Sequence, residues 1–572
     1  MVGKSRRLNL WVALVVGGAG GVGGACTHGN PVRVPDAICQ TTVQPVVLSV
    51  GQRIAIDPQA TEGCVMFSAN PSSTDSMEYL LVPQVTAENP DYRSSFKLAG
   101  GVPVSPAPGL AALYQEGPPS AAQEFHYQLR ELERTRGWGA SAGAPPAAAS
   151  PQQAVGGGGA AAPIVLGSRR VFKVLSSLAA YPLKSAQVVA FAQSIGQHVV
   201  IYVDSATPAN GLTQADVDAA RSTFDTLLYV IDTTAFGRES DIDQNGLVLV
   251  LMSNVINKLV TDSACQATGF IGGFFFAADI DPGFAAQWNK GEIFYSMVAD
   301  SGRTLSCSHP NSQVKRLLPV TFIHEFQHMI SYNQHVLLRG GPAEVLWLNE
   351  GMSHYAEERG ARSFLAAGDN ARFCDHVLGD LLNFASYLTA PGPHALVDTS
   401  GTGGLPERGA DWAFVRYLVD QYASDTNLAA ADAFTRRIDQ TATTGTANVA
   451  EVTGEPFAAV AERWALANWV SDLSGFTTPD SLKYKHWAFR SAYPTLHASC
   501  SQRLPNAFPL VAVASAGPAI GLSGTMWSGS GAAYQRALQG PGDAGFALLF
   551  SDGTGRQLNQ VLAPRLNLLR IR

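Results

Sequence analysis

The chain has 572 residues, of which 46% are hydrophobic and only 15% are charged, and its formal net charge is −7. Soluble domains usually carry about 25% charged residues, so this chain is poor in charge. A negative net charge without a long basic run excludes bulk electrostatic binding of nucleic acid. The length indicates roughly three or four domains.

The first residues have the features of an export signal. A short apolar run at residues 8–16 follows three basic side chains, Lys4, Arg6 and Arg7. This run is shorter than the roughly 20 apolar residues that a membrane span needs. We therefore predict a signal peptide over residues 1–25.

Small residues lead from this run to the first cysteine, Cys26. The segment resembles a bacterial lipoprotein signal, in which a small residue precedes a lipid-modified cysteine, although Gly23 stands where that pattern usually has leucine. The resemblance implies a lipid anchor on Cys26 and attachment to the cell envelope. Ordinary cleavage after Ala25 stays open and would give a secreted chain that begins at Cys26.

The odd number of cysteines fits this N-terminus. Of the 7 cysteines, Cys26 is the candidate lipid site, and an even number is left. An even number in an oxidising compartment is typical of disulfides. The domain layout favours the pairs Cys39–Cys64, Cys265–Cys307 and Cys374–Cys500. Buried free thiols are the alternative, and no two cysteines have the C-x₂-C spacing of a zinc site.

The N-terminal region is predicted to be a small β module, a helix and a linker. Short apolar runs broken by turn residues predict the β module over residues 26–116. Ser120 and Gln123 fit a capping box, which predicts a helix within 117–136. Residues 137–167 contain no charge and consist mostly of Ala, Gly, Pro and Ser, which predicts a flexible linker.

A mixed α and β domain is predicted over residues 168–475. Helical patterns dominate from about residue 317 to 469. Apolar runs predict strands at 199–203, 247–252 and 292–298. Gly-rich, strand-like sequence over 476–572 predicts a second β module. The expected fold class is α+β, with a small all-β module at each end.

A polar hexapeptide, D-I-D-Q-N-G at 241–246, matches the first half of a calcium-binding loop. Met252 stands where such a loop has its closing glutamate, which excludes a complete EF-hand. A polar turn leading into the strand at 247–252 is the favoured interpretation. A calcium site completed by ligands from elsewhere in the chain stays open.

The strongest chemical signal is H-E-x-x-H at residues 324–328. On a helix, His324 and His328 leave the same face and can reach one metal ion. Glu325 lies one position round the helix, beside the ion, where it can take a proton from water. A buried helix with satisfied histidines is the alternative interpretation.

A second helix-like segment, W-L-N-E-G-M-S-H-Y-A-E-E at 347–358, disfavours that alternative. The spacing after His328 allows a turn and a returning helix that delivers Glu350 as a third ligand. Two histidines and one glutamate, with a fourth position left to water, form a catalytic rather than a structural zinc set. The sequence therefore predicts Zn²⁺ as the cofactor.

These segments resemble those of the gluzincin metallopeptidases, which pair H-E-x-x-H with a downstream Asn-Glu. The second segment is similar to that of the hyicolysin-like family. The resemblance covers roughly residues 190–425 and implies a zincin-like α+β domain. It implies that His324, His328 and Glu350 are the zinc ligands and that Glu325 is the catalytic base.

The sequence departs from the gluzincin pattern in two respects. His354 stands where the thermolysin-like branch has an acidic residue, one turn after the glutamate ligand. No residue matches the donor that stabilises the transition state, and the nearby candidates are Tyr332, His335, His354 and Tyr355. The segment with which gluzincin aminopeptidases read a free N-terminus is absent, which favours cleavage within chains.

The predicted function is an exported zinc endopeptidase that acts on protein or peptide substrates. The strand at 292–298 is a candidate for binding substrate backbone by strand addition, although ordinary core is the favoured interpretation. The rival hypothesis is a surface lipoprotein that binds a polysaccharide or protein partner without proteolysis. The intact Glu325 disfavours it, because a binding scaffold has no need of a general base.

Overall fold

The computed structural model describes residues 39, 43–90, 92–102, 120–136, 163–178, 183–398 and 404–572. The predicted signal peptide, Cys26 and most of the predicted linker lie outside these residues. Among the helices that are described, none is long and apolar enough to cross a membrane.

The described part of the chain contains both helices and sheets, as the α+β prediction expects. Its strands are β1 (Arg53–Ile56), β2 (Cys64–Phe67), β3 (Met77–Val85), β4 (Arg93–Gly100), β5 (Arg169–Ser177), β6 (Lys184–Ile195), β7 (Val199–Asp204), β8 (Val248–Met252), β9 (Gly273–Phe275), β10 (Ile293–Ser296), β11 (Val513–Ala516), β12 (Gly521–Trp527), β13 (Gln535–Gln539), β14 (Phe546–Asp552) and β15 (Pro564–Arg570). Its α-helices are α1 (Ala121–Thr135), α2 (Gln214–Thr223), α3 (Tyr229–Ala235), α4 (Asn254–Asn257), α5 (Asp262–Thr268), α6 (Asn311–Tyr332), α7 (Leu346–Ala366), α8 (Asn370–Thr389), α9 (Leu405–Tyr422), α10 (Leu428–Asp439), α11 (Gly445–Thr453), α12 (Phe457–Val470) and α13 (Phe489–Ser499).

A six-stranded sheet lies in the middle of the chain, in the order β5-β6-β7-β8-β10-β9. Strands β7, β8 and β10 run parallel, whereas β9 is antiparallel to β10 and forms the edge. Every side chain of β8 and β10 is buried, which explains the continuous apolar runs of these interior strands. The three strands predicted here are confirmed, each within two residues of its predicted ends.

Two long helices lie near the β9 edge of this sheet. Helix α6 contacts β9, β10 and α7. Its C-terminal half is buried on every side from Phe322 to Tyr332, and α7 is buried from Leu346 to Ala361. A π-helical turn at Asn333–Leu337 continues α6 before the chain returns along α7. The predicted helix, turn and returning helix are confirmed.

Strands from both ends of the chain pair with one another. One sheet has the order β1-β15-β3-β13-β11, and another has the order β12-β4-β14-β2. The strand β15 lies between β1 and β3, and the two sheets share one cluster of buried apolar side chains. Residues that the sequence analysis divided between two terminal modules, 26–116 and 476–572, thus build common sheets. Local patterns cannot reveal this, because the paired strands are hundreds of residues apart.

Leu568→Ala tests whether this shared packing stabilises the protein. Leu568 is fully buried on β15, opposite Ile54 on β1 and Leu81 on β3. We expect the free energy of unfolding to fall by about 2–5 kcal/mol, because the truncation leaves a cavity. Urea unfolding measures this, with the 58% exposed Val561 changed to alanine as the control. Equal stability of the two variants would contradict a shared core.

The cysteine pairing favoured by the sequence is confirmed. Cys39 bonds to Cys64, Cys265 to Cys307, and Cys374 to Cys500. The second bond lies between α5 and the segment before α6, and the third joins α8 to the residue after α13. All cysteines of the described residues are therefore in disulfides, which is typical of proteins that fold in oxidising compartments.

Candidate active site

Helices α6 and α7 bring the three predicted metal ligands together. The Nε2 atoms of His324 and His328 lie 3.1 Å apart, as expected for two side chains one helical turn apart. The carboxylate of Glu350 on α7 faces both rings, 3.5 Å from His324 Nε2 and 3.8 Å from His328 Nε2. One ligand atom from each of the three residues lies within 4.8 Å of the other two.

The other ring nitrogen of each histidine has its own partner. His324 Nδ1 lies 2.7 Å from Glu357 Oε1, and His328 Nδ1 contacts Asn349 Oδ1. Both partners are acceptors, so in the neutral form of each ring the hydrogen lies on Nδ1 and the Nε2 lone pair is directed toward Glu350. This arrangement is typical of histidines that bind a metal ion.

Glu357 supplies the carboxylate whose absence at position 354 was noted in the sequence. It lies on α7, two helical turns after Glu350, and so projects from the same face of the helix. His354 lies beside it, with its Nδ1 3.0 Å from Glu357 Oε1 and 2.9 Å from Asp380 Oδ1. The chain therefore keeps an acidic partner for His324 but places it one turn later.

We expect Glu357→Gln to weaken zinc binding by about 10–100-fold, because the partners that orient metal-ligating histidines contribute affinity on this scale. Competition with a chromogenic chelator measures the zinc affinity. The matched control is Glu455→Gln, an exchange at a partly exposed side chain that pairs with Arg463. Unchanged zinc affinity in Glu357→Gln would show that Glu357 does not orient His324 for zinc binding.

The buried carboxylate of Glu350 provides a test of whether the site fits a cation. Glu350 is fully buried, and neither of its oxygens has a hydrogen-bond partner. Burial of a carboxylate without such partners is costly unless a positive charge faces it. The nearest protein cations are Arg408 at 3.3 Å and Arg130 at 4.0 Å. Two imidazole nitrogens and this carboxylate are ligands that zinc prefers, so the residues fit a zinc ion.

The surroundings of the three residues shift their pKa values in different directions. Burial opposes a charge on His324, but contacts with Glu350 and Glu357 outweigh it and raise the pKa of His324 to about 9. Burial, with Arg130 adding, holds the pKa of His328 well below its ordinary value. The pKa of Glu350 is well below its ordinary value despite burial, because Arg408 and the histidines stabilise the anion. Glu350 is therefore anionic and His328 neutral, as metal binding requires, whereas His324 would release a proton when a metal ion binds.

Glu325 lies beside the three predicted ligands rather than among them. Its Oε2 accepts a hydrogen bond from the backbone N–H of Phe275 on the edge strand β9, at 2.8 Å. Burial raises the pKa of Glu325, against the opposing effects of His324 and Arg130. The carboxylate is thus held between the predicted metal ligands and the outer edge of the sheet.

The four side chains considered as transition-state donors have other partners. The Tyr332 hydroxyl donates to Asp281, and His335 lies near Glu344 and Asp439. Tyr355 contacts Arg416. His354 is the only one of these four whose ring packs against a predicted ligand, 4.9 Å from His324, and its Nδ1 faces two carboxylates.

The strand at 292–298 does not line an open edge. As β10 it pairs with β8 on one side and β9 on the other, so its backbone is already hydrogen-bonded. The possibility of substrate addition at this strand is therefore wrong, and the favoured interpretation as core is confirmed. Within the part of the chain that the structure describes, the unpaired sheet edge beside the site belongs to β9. This strand has three residues, which are too few for an apolar pattern to reveal it.

Two arginines of the site were missed by the sequence analysis. Arg408 begins the second turn of α9, and Arg130 lies on α1, more than two hundred residues before Glu350 in the chain. Neither has a motif around it, so nothing local to the sequence could have identified them. Their proximity to Glu350 follows only from the fold.

Comparison with known proteins gives one partial similarity. No established family profile matches the chain. The chain is 26% identical over 149 residues to the neutral metalloprotease ShpI of Staphylococcus hyicus, a match that covers 26% of this chain and 32% of the relative. The chain therefore spans about a third of the length of that protein. The similarity supports a relationship to a metalloprotease over part of the chain.

Proposed function

We propose that the chain is an exported zinc endopeptidase of the gluzincin type, related to the hyicolysin-like family. The observation that carries this proposal is the convergence of His324, His328 and Glu350 with Glu325 beside them. The partial similarity to a metalloprotease points in the same direction. The substrates would be proteins or peptides.

In this proposal His324, His328 and Glu350 hold the zinc ion. A zinc ion so held acts as a Lewis acid toward a peptide carbonyl and makes water a nucleophile near neutral pH. Glu357 and Asn349 fix the ring orientations of the two histidines, so that the Nε2 atoms stay directed at one point. The side chains that bind zinc therefore need little rearrangement when the ion binds.

Glu325 performs the proton transfers. The Phe275 N–H holds its Oε2, which leaves Oε1 to accept a proton from the attacking water. The same carboxyl then gives that proton to the leaving amine of the cleaved peptide bond.

Export and anchoring are part of the proposal. The three disulfides and the predicted signal peptide support folding outside the cytoplasm. A lipid on Cys26 would tether the enzyme to a membrane surface, and cleavage after Ala25 without lipid would release it.

Digestion of casein, an unfolded protein, separates a protease from a binding lipoprotein. We expect fragments with internal termini by mass spectrometry, because the predicted site lacks the aminopeptidase segment. Release of single residues from the N-terminus would instead indicate an exopeptidase. Intact casein with zinc-loaded protein, including the Arg136→Ala variant described below, would favour the binding lipoprotein.

A further inference from the structure

The loop at 241–246 meets a buried carboxylate from another part of the chain. The loop lies between α3 and β8, and Glu292 directly precedes β10. Because β8 and β10 are parallel neighbours, the segments before them lie side by side at the N-terminal ends of these strands. Carboxylate oxygens of Asp241, Asp243 and Glu292 lie within 4.8 Å of one another.

Glu292 is directed into this cluster with one oxygen unsatisfied. The residue is only 1% exposed, and its Oε1 accepts hydrogen bonds from Ser240 Oγ at 2.6 Å and Ile242 N at 2.9 Å. Its Oε2 is buried without a hydrogen-bond partner. Burial, with Asp243 adding, raises the pKa of Glu292 to about 7. Burial of an unpartnered carboxylate oxygen beside two further carboxylates is costly unless a cation faces it.

We propose that Asp241, Asp243 and Glu292 bind a calcium ion. All the candidate ligand atoms are carboxylate oxygens, which calcium prefers, whereas structural zinc sites are built from cysteine and histidine. Glu292 supplies the carboxylate that the closing glutamate of a calcium-binding loop would provide, since Met252 stands at that position of the loop. The ion would join the segments before β8 and β10 and so stabilise the middle of the sheet.

Calcium titration of the full zinc-loaded chain tests this site. After removal of calcium, calorimetry with calcium chloride in millimolar magnesium should detect one binding site and a rise in the melting temperature. Glu292→Gln keeps an acceptor for Ser240 and Ile242 but removes the charge, so we expect affinity to fall at least about tenfold. Asp480→Asn, at a side chain that is 88% exposed, is the control.

The exposed Asp241 provides a second variant that disturbs no core. Asp241→Asn should also lower the calcium affinity while the unfolding of the calcium-free chain stays unchanged. Absence of calcium binding to the wild-type chain would overturn the proposal. Wild-type affinity in both Asp241→Asn and Glu292→Gln would overturn it as well.

A separate observation concerns helix α1, which lies over the candidate active site. The four site residues are almost inaccessible: His324 is 7% exposed, Glu325 3%, His328 1% and Glu350 0%. Arg130 on α1 reaches to within 4.0 Å of Glu350 Oε1 and is itself 3% exposed. A protein substrate cannot reach the ligands while α1 occupies this position.

Helix α1 also takes the backbone acceptor at the free edge of the sheet. The Phe275 carbonyl of β9 accepts a hydrogen bond from Arg130 Nη2 at 3.3 Å, and the Phe125 ring lies 5.2 Å from that of Phe274. An extended peptide that added to β9 would need this carbonyl for its own N–H. Arg130 therefore competes with a substrate backbone for the same atom.

One ion pair connects the C-terminal end of α1 to Asp281. The Arg136 guanidinium donates to both oxygens of Asp281, at 2.7 and 2.6 Å, and the Tyr332 hydroxyl donates to Asp281 as well. The Asp281 side chain is fully buried, so the pair is shielded from solvent. By contrast, the partner of Arg134 within the described residues is Glu131 of the same helix, and Arg134 is exposed.

We infer that α1 is a self-inhibiting segment, which must move away from the candidate active site before a protein substrate can bind. This inference rests on the proposed peptidase function. Its displacement would expose Glu325, the metal ligands and the edge of β9 together. Arg136 is the contact whose loss favours the open form without touching the ligands.

Two readouts on full-length Arg136→Ala test the inference, with Arg134→Ala as the matched control. We expect severalfold faster release of zinc to 1,10-phenanthroline and severalfold higher initial rates of casein cleavage in Arg136→Ala, and wild-type values in Arg134→Ala. Zinc release does not depend on catalysis, so it tests whether α1 covers the site even if neither the wild type nor a variant cleaves casein. Wild-type zinc release in Arg136→Ala would overturn the inference, whereas faster release without any cleavage would count against the proposed function alone.

Discussion

Replacement of Glu325 by glutamine is expected to abolish nearly all proteolysis while zinc stays bound. Glutamine keeps the acceptor for the Phe275 N–H, so the local geometry is retained. It cannot take a proton from water, and the loss of a general base costs about 10²–10⁴-fold in rate. Initial rates of casein cleavage and the zinc content of the same preparation measure the two expectations.

The matched control for this experiment is Glu451→Gln, which makes the same exchange at an exposed position on α11. It should keep wild-type activity and zinc. Both variants should also be measured in the Arg136→Ala background, in which α1 is expected to leave the candidate active site more readily. An equally active Glu325→Gln enzyme would show that Glu325 is not the base.

Glu350→Ala should have the second large effect, the loss of zinc. The change removes one of three ligands and leaves Arg408, at 3.3 Å from the carboxylate, without its nearest anion. We expect zinc affinity to fall by more than the roughly 10–100-fold that loss of an orienting partner costs. The zinc content after dialysis measures this retention.

Glu350→Gln separates the loss of a ligand from the loss of packing, because it preserves the volume of the side chain. It should also lose zinc, while its unfolding in the absence of metal shows whether Arg408 tolerates a neutral neighbour. Zinc retention at the wild-type level in both variants would remove Glu350 from the ligand set.

The parts of the site that could be predicted are those set by helical periodicity. His324 and His328 are one turn apart, so their side chains project from the same face of the helix. Because Glu325 is next to His324 in the sequence, its place beside the two rings could be predicted as well. Glu350 required only a turn and a returning helix, which the sequence between the segments allows. These are local or nearly local relations, and the structure brings the four residues together as expected.

The rest of the site depends on contacts between distant segments. Arg130 reaches Glu350 from α1, and Arg408 reaches it from α9, so neither could be assigned from its own surroundings. The same holds for Glu292, which joins the loop at 241–246 only because β8 and β10 are neighbours. Strand pairing between the ends of the chain is likewise a long-range property, since alternation of apolar residues does not identify a partner strand.

The most direct test of a zinc peptidase is the removal and return of the metal in one preparation. Wild-type and Arg136→Ala chains are treated with 1,10-phenanthroline, assayed on casein, dialysed and reconstituted with one equivalent of zinc. We predict that cleavage disappears with the metal and returns with zinc in step with its binding. Cleavage that persists in the metal-free chain, or that does not return when zinc rebinds, would contradict the proposed function.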